Sequence, residues 1–174
     1  AVRATRDKVA LVSTKSREIY TPEMLEAKLA FNPYTFLHVI NPGYKYHKQD
    51  VSGELRFKLV HNRYLEFKED RVFTQDENPA FYIYQKITTT DSFCGIISAT
   101  SVEDYHKNVI KKHENNLEQR EQLFKNYLKN TGFNAEPVLL TYPDNPVIEG
   151  LIKKYQQQRA EYEFATTDKE QHLL

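Results

Sequence analysis

The sequence predicts an α/β domain in which a mixed β-sheet containing a hairpin is flanked by helices, with an α+β arrangement as the alternative. Three observations predict it. Helix and strand signals alternate along the chain, and two apolar runs flank a polar turn as the arms of an antiparallel hairpin do. No internal repeat, low-complexity run or linker rich in Gly, Ser or Pro divides the 174 residues. One domain over residues 1–166 with a frayed tail at 167–174 is therefore expected. A chain of this length buries a core of its own.

The elements follow in order. Thr21-Pro22-Glu23 supplies a capping hydroxyl, a proline suited to the first helical position and an acid in the first turn, so a helix runs to about Phe31 and stops at Asn32-Pro33. Residues 34–40 alternate and are rich in aromatic and branched side chains, which reads as a strand ending at Asn41-Pro42-Gly43. After an aperiodic loop at 44–50, Ser52-Gly53-Glu54 opens a second helix reaching about Asp70. Its stripe of Phe57, Val60, Tyr64 and Phe67 must face a core. A turn at 76–79 precedes the hairpin, whose arms at 80–87 and 93–99 flank Thr88-Thr89-Thr90-Asp91-Ser92. Ser101 and Asp104 have the spacing of a capping box, so a long helical stretch follows, broken near 111–116 and ending before Gly132. A strand at 136–142, a helix from Asn145-Pro146 to about Gln158 and a last strand at 161–166 complete the reading.

Composition narrows the function classes. Lys plus Arg and Asp plus Glu are equal at 24 each, which removes the net field that a nonspecific nucleic-acid coat or an anionic-membrane binder uses. No apolar run approaches the ~18 residues of a membrane span. Residues 1–15 are charged throughout, without the apolar centre of a signal peptide. A soluble, cytoplasmic protein is expected. The single cysteine, Cys94, lies in the run Phe93-Cys94-Gly95-Ile96-Ile97, as a buried strand thiol in a reducing compartment would. Five glycines, none in a GxGxxG or Walker pattern, exclude a glycine-rich phosphate loop, and six scattered histidines with one cysteine give no metal site.

The cluster Lys111-Lys112-His113-Glu114-Asn115-Asn116, followed by Arg120, carries the most chemistry. On a helix, His113 and Arg120 would share a face about 10.5 Å apart along the axis, together with Leu117, Phe124 and Tyr127. Lys111, Lys112 and Arg120 suit a phosphate or carboxylate, and His113 or Glu114 can move a proton. The alternative is a solvated helix start with Arg120 paired to Glu118, Glu121 or a core carboxylate. Arg6, within the run from Arg3 to Lys8, is a second anion-binding candidate. Asn134 and Glu136, with Tyr142-Pro143-Asp144, bracket the expected strand and are placed to line a ligand at the sheet edge, against the plainer reading of turn and cap chemistry. Tyr44, Tyr46, Tyr82 and Tyr84 suit either base stacking or cross-strand packing.

Several words in the chain are familiar: Ala1-Val2-Arg3-x-Thr5-Arg6-Asp7-Lys8-Val9, Asn32-Pro33-Tyr34-x-Phe36-Leu37-His38, Asp76-Glu77-x-Pro79-x-Phe81-Tyr82-Ile83-Tyr84, Ile110-Lys111-Lys112-His113-Glu114 and Gly132-Phe133-Asn134-Ala135-Glu136-Pro137-Val138. Over nearly the whole chain it resembles the N-terminal half of a bacterial family of unknown function, numbered one thousand and fifteen among such families. Family members are about twice this length, and their later half carries an Asp-Gly-His-His-Arg motif that does not occur here. A similar motif marks the free-serine kinases of the ParB and sulfiredoxin superfamily. The resemblance thus implies a kinase for a small hydroxyl compound such as L-serine, with ATP, ADP or pyrophosphate as donor, with Mg²⁺ as its metal, and with the protein's own C-terminal half as partner. Lys112, His113 and Arg120 would then stabilise phosphoryl oxygens, while Glu114 or Glu18 orients or deprotonates the acceptor hydroxyl. The chain departs from the family at Asn116, where many members have Thr, and at Ser16-Arg17-Glu18-Ile19-Tyr20, where many have Pro-Pro-Tyr-Asp. The alternative function is a noncatalytic ligand- or nucleotide-binding regulatory module, and the balanced charge disfavours nucleic acid as its partner. A third reading is a domain that only docks onto its C-terminal half.

Overall fold

An apolar stripe along a helix has to meet other apolar surface, and here the stripe decides where the core forms. The computed structural model describes residues 1–46, 51–112 and 118–174. In chain order its elements are β1 (Val2–Ala4), α1 (Val9–Val12), a 3₁₀ turn (Arg17–Ile19), α2 (Pro22–Phe31), α3 (Leu37–Ile40), α4 (Gly53–Glu69) and β2 (Phe73–Gln75). Then come β3 (Tyr82–Ile87), β4 (Ser92–Ile97), α5 (Val102–His106), α6 (Glu118–Thr131), α7 (Pro146–Gln156), β5 (Glu163–Ala165) and β6 (Gln171–Leu173). The chain has an α/β fold in which, among the described residues, helices accompany two antiparallel sheets. Among the same residues no helix is long and apolar enough to cross a membrane.

The predicted stripe builds the core. Phe57, Val60 and Phe67 of α4 are buried, and Val60 and Phe67 cluster with Val39, Val72 and Phe73. Rings surround the cluster: Tyr64 stacks on Phe133 at 4.4 Å between centroids, and Phe57 meets Tyr127 of α6 edge-on at 5.6 Å. The rings around α4 are thus core-formers, each such pair adding about 0.5–1.5 kcal/mol beyond its area. Local signals set the helix ends. Met24 N donates to Thr21 Oγ1 at 3.3 Å behind Pro22, and Gly132, at φ +75°, closes α6 in the left-handed conformation with its N–H on Leu128 O.

The larger sheet has the order β4-β3-β6-β5, every pairing antiparallel. The predicted hairpin is present, with register Tyr82↔Ile97 through Ile87↔Ser92, and Thr88 closes its turn by accepting the N–H groups of Thr90 and Asp91. Strand alternation sorts the side chains. Tyr82, Tyr84 and Lys86 share one face with His172 and Phe164, while Ile83 and Gln85 share the other with Leu173 and Glu163. The first face meets the N-terminal segment, where Arg3 bridges Asp76 and Glu161 at 2.6 and 2.9 Å and the Tyr82 hydroxyl donates to Asp76. Tyr162 adds a hydroxyl bond to Ala4 O at 2.7 Å.

Five expectations are corrected. Residues 34–40 form no strand; turn bonds from Tyr34 N to Asn32 Oδ1 and His38 N to Thr35 O wind them into α3, whose consecutive Leu37, His38 and Val39 are all buried. Residues 136–142 also form no strand: among the described residues no strand pairs with them, Pro137 lacks a donor, and Val138 and Leu139 are 81% and 89% exposed. The tail is not frayed, because β6 lies between β3 and β5 and Leu174 N donates to Tyr162 O. The helix after Ser101 is short, since Asn108 takes φ 58° and the chain turns out of α5 well before residue 111; Ser101 Oγ accepts from Glu103 N rather than from Asp104. Cys94 is exposed rather than buried, because β4 is an edge strand with no residue covered. The elements β1, α1, the 3₁₀ turn and β2 had no expected counterpart.

Candidate functional site

The residues singled out from sequence occupy separate elements. His113 and Glu114 lie outside the described residues, as do Asn116 and Leu117. Lys111 and Lys112 are exposed on the connection after α5, and Lys112 Nζ stands 5.0 Å from the centroid of the Tyr105 ring. Arg120 is exposed in the first turn of α6, where the helix dipole does not favour a cation. Glu121 beside it pairs with Lys125 at 2.8 Å. Glu18 is exposed on the 3₁₀ turn. Asn134 Oδ1 accepts from Glu136 N at 3.1 Å, which is turn chemistry, and both residues are exposed. Arg6 Nε donates to Glu161 O at 3.0 Å.

The geometry points instead to a recess of about 330 Å³ between α2, the Asn41-Pro42-Gly43 turn and the first turn of α4. Leu25 and Leu29 give it apolar walls, and Arg17, Glu26, Asn41 and Arg56 bring polar groups to it. Arg17 donates to Asn41 Oδ1 at 3.3 Å and to Tyr20 O at 3.4 Å; Arg56 donates to Ile40 O at 3.1 Å. Asn41 is itself held, through its Nδ2, to Leu37 O at 2.9 Å. Both guanidinium groups are therefore fixed by neutral oxygens, and among the described residues neither forms an ion pair. Two cations against the one acid Glu26 leave the recess positive. A planar fork of donors in that setting suits a carboxylate or phosphate.

Of the sequence candidates, Glu18 is the chain neighbour of Arg17. Glu136 and Arg56 both act electrostatically on the Tyr127 hydroxyl, whose pKa burial raises first of all. Sequence reasoning passed over Arg17 and Arg56, although a signal for the latter existed: Arg56 stands one turn ahead of Val60 on the buried stripe, where a cation needs a reason.

Two other charged groups are structural. Arg63 is 8% exposed, pairs with Glu66 and lies over the Phe67 ring, while Lys45 and Tyr46 reach the same carboxylate at 2.7 and 3.1 Å. His38 beside it is buried, and desolvation followed by the charge of Arg63 holds its imidazole below the usual range. Arg3 sits between the Tyr82 and Tyr162 rings, and the Tyr82 hydroxyl and then Arg3 pull the Asp76 carboxyl down to about 2. Desolvation pushes the Cys94 thiol up, the opposite of an activated nucleophile. Among the described residues no group of three or more His, Cys, Asp or Glu side chains is placed to hold a metal ion.

Fold and recess together define an α/β domain with a small, positively charged ligand-sized hollow. The chain belongs to the family described as protein of unknown function, DUF1015, whose match spans residues 1–174. No curated protein and no solved structure matches it.

Proposed function

We propose that the chain is the anion-binding part of a cytoplasmic phosphotransferase that phosphorylates a free hydroxyl compound such as L-serine, with ATP, ADP or pyrophosphate as donor. The observation that carries this reading is the pair Arg17 and Arg56, held by neutral oxygens at one recess so that their charge is left for a ligand. Its volume, near 330 Å³, suits a metabolite of a few heavy atoms. The substrate's carboxylate, or the phosphate it receives, would lie against the two forks, and Glu18 would orient or deprotonate the acceptor hydroxyl from beside Arg17. Lys111, Lys112, His113 and Arg120 would meet phosphoryl oxygens, with Glu114 as the other acid or base, and the C-terminal half implied by the family resemblance would complete the centre. The described residues supply no ligand set for Mg²⁺, which enters this reading only as the counter-ion of the donor phosphates.

Donor consumption by the full-length protein with Mg²⁺, using ATP, ADP and pyrophosphate against free amino acids and polyols, tests the proposal. Turnover of serine or another hydroxyl compound is the expected result, with Arg56→Ala raising KM about ten-fold or more and His113→Ala lowering kcat/KM. A folded protein that turns over nothing would leave the second reading, a noncatalytic ligand-binding module. That reading draws its support from a second and larger cavity on the sheet.

A further inference from the structure

The second cavity, about 690 Å³, opens between β3, the C-terminal end of α7 and the start of β5. Three rings line it, of which two remain largely uncovered, Phe81 at 78% and Tyr155 at 55% exposure. Rings left open on a hollow lose the hydrophobic gain that the rings around α4 obtain, and a flat apolar ligand would restore it. Amides form the polar part of the lining. Gln156 Nε2 donates to Gln85 Oε1 at 3.3 Å and Gln85 Nε2 donates to Ser92 Oγ at 2.9 Å, so this pair is oriented before any ligand arrives. The Gln156 carbonyl and the Gln158 amide remain for hydrogen bonds to a ligand's edge.

Charge at the mouth is equally sorted. The Glu161 carboxylate pairs with the Arg3 cation at 2.9 Å, while Glu163 is oriented by the neutral Gln171 amide at 2.8 Å and keeps its charge. Arg159 lines the cavity and forms no ion pair among the described residues. We infer that this cavity is a nucleotide site, in which Phe81 and Tyr155 stack on the base, the Gln156 and Gln158 amides read its edge, and Arg159 meets a phosphate. The inference rests on the proposed phosphotransferase reading only for the use made of the nucleotide, which would be the donor in place of pyrophosphate.

Equilibrium binding to the full-length protein without any acceptor tests it, with a fluorescent ADP analogue as probe and ADP, adenosine and pyrophosphate as competitors. ADP should displace the probe, adenosine should do so more weakly and pyrophosphate should fail. Tyr155→Ala should weaken probe binding about ten-fold while Tyr155→Phe keeps it, and Arg159→Ala should weaken ADP but not adenosine. Both side chains are exposed at the cavity, so circular dichroism should be unchanged in these variants. Displacement by pyrophosphate as readily as by ADP, indifference of the probe to Tyr155→Ala, or a folded protein that binds no ADP would each overturn the inference. Turnover with pyrophosphate and no ADP binding would sink this site and keep the phosphotransferase; ADP binding without turnover would do the reverse.

Discussion

Around α4, the apolar stripe of Phe57, Val60 and Phe67 is buried and ringed by aromatic side chains, whereas on β4 all six residues are exposed and β3 is half-buried along its whole length. Both regions carry apolar and aromatic side chains. What separates them is the number of covered faces: α4 packs against α3, α6 and β2, while β4 has β3 on one side and α7 only glancingly above it through Gln156. The helical region is therefore held by burial, and the sheet by its ladder and by polar ties to the N-terminal segment. Those ties are the Arg3 bridges, the Tyr82 and Tyr162 hydroxyls and the Lys15–Asp168 pair. Amide exchange should accordingly find the sheet opening at lower free energy than the helices.

Four substitutions would break or sharpen that contrast. Phe67→Ala in the core should cost about 3–5 kcal/mol in denaturant unfolding; a loss below ~1 kcal/mol would mean that burial does not divide the molecule as described. Asp76→Asn should cost about 1.5–3 kcal/mol at neutral pH, because charged hydrogen bonds to Arg3 are lost. The pH dependence has a definite sign. The folded carboxyl titrates at about 2 against 3.8 for the free group, so the stability it adds is complete above 3.8 and disappears as the pH falls toward 2. The difference in Tm between the native protein and Asp76→Asn should shrink across that window, and a constant difference would place the effect elsewhere. Tyr162→Phe removes one hydroxyl bond from a residue 5% exposed, and should cost about 1 kcal/mol, seen as faster exchange in β5 and β6. Phe93→Ala, at a ring 61% exposed, should change stability by no more than about 0.5 kcal/mol.

The same contrast explains what could be read from the chain. The helices α2, α4 and α7 carry their own signals, a capping Thr21 or Asn145 followed by proline, or a four-residue stripe, and all three stand where those signals put them. The hairpin was equally legible because its partner lies a few residues away. A strand whose partner is distant has no such local mark. Residues 136–142 have strand-forming side chains but pair with no strand among the described residues, while Gln171–Leu173 has little strand character and gains two neighbours. Residues 34–40 show apolar alternation, but Asn32 and Thr35 supply turn bonds that outweigh it. The recess was hidden for a related reason: Arg17 and Arg56 are 39 positions apart and meet only through α2 and the Asn41 turn. The Lys-Lys-His-Glu word was conspicuous in sequence, yet its His113 and Glu114 lie outside the described residues.

The place of β6 also bears on how the chain reaches its native state. Tyr84 and His172, bonded across β3 and β6, are 88 residues apart. The hairpin ends at Ile97 and β6 at Leu173, so a ribosome extending the chain at about 5–20 residues per second would release the finished hairpin roughly 4–15 s before its inner neighbour exists. During that interval β3 offers an unpaired backbone edge on one side and β4 another, so nascent chains on one message could pair with each other before they pair with themselves. Final closure of the sheet is a long-range event, and the speed of folding should follow the arrival of β6 rather than the formation of the hairpin.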